Sequence, residues 1–141
     1  MYEILPSKPV YFQGMVIDYL DLEEKLCSRY CRLQLASLFG LSINQGDAWD
    51  LPYLNNSKNY VRRSLCPGDI VLCRNLKSSY RGELGGFNQK IDLTHTILYV
   101  GVNSLDDNVF IHQYEGRQWL FDETELGRFG LVPEKIILPF E

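Results

Sequence analysis

Three observations on the 141-residue sequence predict an α+β domain. Apolar residues at helical three-to-four spacing are confined to one stretch, Leu22 to Phe39; apolar runs of strand length follow Pro67; and turn residues separate those runs. One helix packed on an antiparallel β-sheet is the architecture that buries both patterns.

The elements follow in chain order. Met1 to Gly14 lacks helical periodicity and reads as a surface segment, extended to about residue 20 and preceding a single domain over 21–141. From Leu22 to Phe39, Leu26, Tyr30, Leu33 and Ala36 share a helical face, Asp21 with Glu24 fits a capping box, and Gly40 is a natural stop. Ser42 to Ser64 is polar and turn-rich and reads mainly as connection, with a short helical turn at Asp47 to Leu51, where Asp47 caps the turn and Trp49 covers the core. Pro67-Gly68 turns the chain into a buried strand, Asp69 to Arg74. A long loop, Asn75 to Leu93, carries Gly82, Gly85 and Gly86. Thr94 to Val102 and Val109 to Tyr114 form an antiparallel hairpin, followed by a strand at Gln118 to Phe121, a helical turn from Asp122 to Arg128 and a last strand at Lys135 to Pro139.

Composition narrows the function classes. With 45% hydrophobic and 13% aromatic residues the chain forms one core, burying roughly two thirds of its unfolded surface. A net charge of −4 and a pI of about 5.2 give no general attraction to nucleic acid or to an anionic membrane. No stretch approaches a membrane span and no secretory signal pattern is present, so a cytoplasmic location, or export by a lysis or injection route, is expected. The spacings of Cys27 with Cys31 and Cys66 with Cys73 do not match a zinc ribbon, so no structural metal is expected. Buried free thiols are the expectation for Cys66 and Cys73.

The chemistry is carried by Cys27, near the start of the helix, and by the only two histidines, His95 and His112, on neighbouring strands. A thiol is mostly protonated at neutral pH. A nucleophilic cysteine therefore needs an imidazole to take its proton and a third group to hold that imidazole's tautomer and ring angle. Strand alternation places His95, Ile97 and Tyr99 on one face and Phe110, His112 and Tyr114 on one face of the partner, so the two rings touch if the register sets them opposite or diagonal. The competing reading is two half-buried strand histidines bonded to backbone. Cys31, one helical turn after Cys27, is the competing nucleophile, with packing as its ordinary role.

The order Cys27-Ser28-Arg29-Tyr30, Gly46-Asp47-Ala48-Trp49, Pro67-Gly68-Asp69-Ile70-Val71 and Thr94-His95 resembles the permuted papain-like group of CHAP amidases and NlpC-type cysteine peptidases. The resemblance spans Cys27 to Tyr114. It departs from CHAP domains in holding His112 where an acidic residue is usual. It departs from NlpC-type peptidases in holding Leu26 before the cysteine and Arg29 two residues after it.

The resemblance implies a nucleophile helix packed on an antiparallel sheet. It also implies a cysteine hydrolase that cuts an amide, peptide or related acyl bond through a thioester, with no cofactor. Cys27 is then the nucleophile, His95 the base and His112 its orienter. Ser28, Tyr19, Tyr80 and Arg81 are candidates for oxyanion or substrate contacts. The implied partner is a peptide or amide, peptidoglycan-derived ones included. In such a fold the nucleophile sits in the first helical turn, where free N–H groups favour a thiolate. A break near Lys25-Leu26 is therefore expected despite the capping pattern upstream. The rival readings are a catalytically idle binding or structural module of the same fold, and a zinc site built from cysteines and histidines.

Overall fold

In the computed structural model, which describes residues 2–4, 10–13, 15–17, 26–77, 80–84, 87–91 and 93–141, the helical spacing becomes one 13-residue helix, α1 (Cys27–Phe39). It starts later than Leu22. Leu26, at the N-cap, is extended (φ −92°, ψ 120°), which is the break expected before Cys27. The Asp21–Glu24 pair lies outside the described residues. Gly40 ends the helix in the left-handed region (φ 64°), its N–H donating to the Ala36 carbonyl at 3.0 Å.

The short turn after Asp47 is present as a 3-10 turn, Ala48–Asp50, running into α2 (Leu51–Leu54). Asp47 makes no side-chain cap there, and its carbonyl instead accepts from the Asp50 N–H.

Seven strands form one antiparallel sheet: β1 (Tyr2–Ile4), β4 (Ser57–Asn59), β5 (Ile70–Asn75), β8 (Leu93–Val102), β9 (Asn108–Tyr114), β10 (Arg117–Asp122) and β11 (Leu131–Ile137). Their spatial order is β1-β10-β9-β8-β5-β11-β4. The expected β8–β9 hairpin is present, and β11 begins earlier than expected, at Leu131, with a register shift after Pro133, which has no N–H to give the ladder.

Two parts of the sequence reading are corrected. The N-terminal segment is not simply a surface extension, because β1 pairs Tyr2, Glu3 and Ile4 with Leu120, Trp119 and Gln118, and Ile4 enters the core. Three residues are too few to register as a periodic pattern. Farther along the segment, β2 (Val10–Phe12) pairs with β3 (Met15–Ile17). The expected loop Asn75 to Leu93 contains two paired strands, β6 (Tyr80–Leu84) with β7 (Phe87–Ile91), in a register that sets Leu84 opposite Phe87.

Alternation gives the sheet two apolar faces. One packs Ile70, Leu98, Ile111 and Leu120 against Tyr30, Cys31 and Leu35 of α1. The other gathers Val71, Cys73, Ile97, Tyr99, Phe110 and Phe121 under Phe129 and Leu131. Phe129 is delivered by a 3-10 segment, Glu123–Phe129, which opens on a capping box: the Thr124 N–H donates to Asp122, and the Asp122 N–H donates to Glu125. The segment closes at Gly130 (φ 69°), and the Lys77 ammonium donates to the Arg128 carbonyl at 2.7 Å.

Candidate active site

Cys27 is the first helical residue of α1, and the first helical hydrogen bond runs from the Tyr30 N–H to the Leu26 carbonyl. The N–H groups of Cys27, Ser28 and Arg29 therefore have no carbonyl within the helix to bond. Helices commonly spend Ser, Thr, Asp or Asn at the cap to occupy such groups. Here the cap is Leu26, 59% exposed, and the first turn holds no acidic residue. With no side-chain cap from Leu26, the positive end of the helix favours a negative group such as a thiolate or an oxyanion.

The Cys27 thiol donates to the Thr94 carbonyl at 3.5 Å, which sets the sulfur beside the peptide group that joins Thr94 to His95. The β8–β9 ladder runs from Val102↔Asn108 to Leu98↔Ile111 and stops there, whereas β10 follows β9 to the end, pairing Trp119 with His112 and Arg117 with Tyr114. The strands carrying the two histidines therefore part at the level where α1 begins. Buried polar groups also tie α1 to β10: the Tyr30 hydroxyl donates to Gln118 Oε1 at 2.7 Å, and Gln34 Nε2 donates to the same oxygen at 3.3 Å.

The two imidazoles meet as the alternation predicts. His95 Nε2 and His112 Nδ1 lie 2.9 Å apart, with the rings nearly perpendicular. Both are buried. Burial pushes the His95 imidazole down to about 4, and burial together with the neighbouring His95 pushes His112 well below its ordinary value. Both are therefore neutral at pH 7, the form that accepts a proton. His112 sits in an aromatic cage: Phe129 at 4.4 Å, Phe121 at 4.6 Å and Tyr114 at 5.7 Å between ring centroids. Of these, the sequence reading had placed only Tyr114 beside the histidines. The Trp119-x-Phe121 alternation on the next strand and the Asp-x-x-Glu signature at 122–125 are the signals that could have found Phe121 and Phe129.

The remaining candidates separate by position. Cys31 is fully buried, with Thr96 against its sulfur, and burial drives its thiol far above the ordinary range. Cys73 is likewise buried and raised. Cys66 is exposed, against expectation: it lies at the Pro67-Gly68 turn, where its N–H donates to the Asp69 carboxylate at 2.9 Å. Ser28 lines a surface cavity of about 460 Å³ together with Leu26, Arg29, Arg32, Asp47 and Leu51. Tyr19 lies outside the described residues. Tyr80 and Arg81 fall on β6, and their side chains are outside the description.

Among the described residues no three His, Cys, Asp or Glu side chains group as a metal site, and no helix is long and apolar enough to cross a membrane. Comparison with known proteins finds no matching family model, no matching curated protein and no matching solved structure.

Proposed function

We propose that the chain is a cysteine hydrolase of the permuted papain-like kind, acting on a peptide or amide, peptidoglycan-derived ones included. The observation that carries this reading is the 2.9 Å His95–His112 pair on strands that part beside Cys27, whose thiol reaches the carbonyl next to His95. The lack of a side-chain cap at the start of α1 supports it.

In this mechanism His95 takes the thiol proton and the Cys27 sulfur attacks the carbonyl carbon. The oxyanion is met by backbone N–H groups of the first helical turn. His95 then protonates the leaving amine as the tetrahedral intermediate collapses to a thioester. A water gives its proton to His95 and its hydroxide to the thioester, and collapse returns the proton to sulfur. His112 holds His95. The cavity lined by Ser28 and Arg29 holds the part of the substrate beyond the scissile bond, since neither Cys27 nor a histidine lines it.

The test is thiol alkylation with peptide mapping, paired with hydrolysis of a chromogenic amide. Cys27 is expected to label faster than the exposed Cys66, and Cys27→Ser to abolish both the fast label and turnover. His95→Ala is expected to slow both by about 10²- to 10⁴-fold, and His112→Asn by less. Equal rates in the wild type and in both histidine variants would exclude the mechanism.

A second reading, an idle binding module that keeps the fold, is favoured by one observation: the hydrogen bond of Cys27 goes to the Thr94 carbonyl, not to an imidazole nitrogen. It predicts that no thiol labels faster than Cys66.

A further inference from the structure

The His95–His112 contact holds one proton between two nitrogens, and where that proton belongs decides what His95 can do. If His112 Nδ1 donates, His95 Nε2 accepts, and a neutral His95 then carries its own proton on Nδ1 and cannot take another there. If His95 Nε2 donates, its Nδ1 keeps a lone pair and is a base. The second arrangement obliges neutral His112 to carry its proton on Nε2. That nitrogen is buried with no hydrogen-bond partner among the described residues. An unpaired buried N–H is the costlier kind of orphan, so something beside it must receive the proton.

The aromatic cage offers one group with the right geometry. Tyr114 lies nearly parallel to His112 (11°) and Phe121 is tilted at 51°, but Phe129 stands perpendicular (81°) with its centroid 4.4 Å away. Perpendicular rings at that separation are how an edge N–H meets a π face.

We infer that Phe129 is a positioning residue whose ring face receives the His112 Nε2–H, fixing the tautomer of His112 and thereby leaving His95 Nδ1 as the proton acceptor. The capping box at Asp122 and the Lys77 contact at Arg128 then acquire a purpose, because they fix the two ends of the segment that carries Phe129. The inference rests on the thiol–imidazole reading for the choice of tautomer as well as for its effect at Cys27.

Long-range ¹H–¹⁵N spectra of the full chain at neutral pH test it directly, since the chain has only two histidines. The expected result is protonated Nε2 and unprotonated Nδ1 on both rings; a protonated Nδ1 on His112 overturns the inference. Phe129→Leu keeps apolar volume and removes the π face. It is expected to move the His112 proton to Nδ1 and to slow alkylation of Cys27 by about tenfold, the scale of one orphaned buried donor. Phe129→Tyr, which restores a π face, is expected to recover both, whereas Phe121→Leu leaves the tautomer unchanged. An unaltered tautomer in Phe129→Leu refutes the role, and if that variant does not fold, the wild-type spectrum decides. Should the tautomers be as inferred while Cys27 alkylates no faster than Cys66, the hydrolase reading fails and the role of Phe129 stands.

Discussion

On the side of the sheet covered by α1, Ile70, Leu98, Ile111 and Leu120 meet Tyr30, Cys31 and Leu35; on the other side, Tyr114, Phe121 and Phe129 close around His112. The first face is mainly aliphatic and holds the helix in place, which fixes where Cys27 begins. The second is aromatic, and its rings do what aliphatic side chains cannot, since they bury two imidazoles in the neutral form while offering oriented edges and faces. Successive strand residues point to opposite faces, so Thr96 meets Cys31 on the helix side while His95 turns to the aromatic side. Nucleophile and base come from opposite sides of one sheet. They approach only where the β8–β9 ladder has stopped.

Truncation on each face is the largest test of that division. Leu35→Ala, on the helix side, is expected to lose about 2–5 kcal/mol, and Phe121→Ala, on the aromatic side, about 3–5 kcal/mol, by urea denaturation. The losses are similar and the consequences are not. Leu35→Ala is expected to leave the alkylation rate of folded Cys27 near that of wild type, and Phe121→Ala to lower it, because the cavity loosens His112. Equal slowing by both would dissolve the distinction between the faces.

The helix side was the more legible in the sequence. Three-to-four spacing and Gly40 located α1 but not its buried face, which is Tyr30, Cys31, Gln34 and Leu35 while Leu26 and Ala36 are exposed; the requirement that a nucleophile stand in the first turn moved its start from Leu22 to a break before Cys27. Strand alternation placed the histidines face to face, because a period of two survives any register that keeps one face buried. The aromatic side was less legible, since Phe129 reaches His112 through a turn segment whose path no periodicity encodes. β1 and β4 were missed for a related reason: each is three residues long, and their pairing is set by the strands beside them. The β6–β7 pair carried a Gly-Gly signal that the polar residues around it obscured.

The aromatic face also gives the molecule a dependence on pH that the aliphatic face lacks. Folded, both imidazoles are held neutral; unfolded, they take up protons below about 6.5. Unfolding thus gains protons as pH falls, so the stability contributed by the pair is complete above about 6.5. It declines through the interval down to about 4, where His95 titrates in the folded chain. The expected loss across that interval is on the order of a few kcal/mol. Urea midpoints at several pH values in this range measure it. Replacing both histidines, His95→Leu with His112→Phe, is expected to flatten the profile, and an unchanged slope would mean that other groups carry it.

The smallest expected effect is at the helix start, where folding and reactivity are set against each other. Leu26 already has the extended backbone of a cap and is mostly exposed, so a residue able to cap loses little by replacing it. Leu26→Asp is expected to stabilise the fold by about 1 kcal/mol, its carboxylate accepting from the Ser28 or Arg29 N–H. The same carboxylate occupies a donor that the oxyanion needs and places a negative charge beside the thiolate. Alkylation of Cys27 is therefore expected to slow by about two- to fivefold, the size of a charge effect at a helix terminus. Leu26→Ser separates the causes, because it caps without charge: it should keep most of the stability gain and slow the thiol less. A Leu26→Asp chain that is both more stable and equally reactive would mean that the N–H groups at the start of α1 do nothing for the sulfur, and the helix start would lose its place in the mechanism.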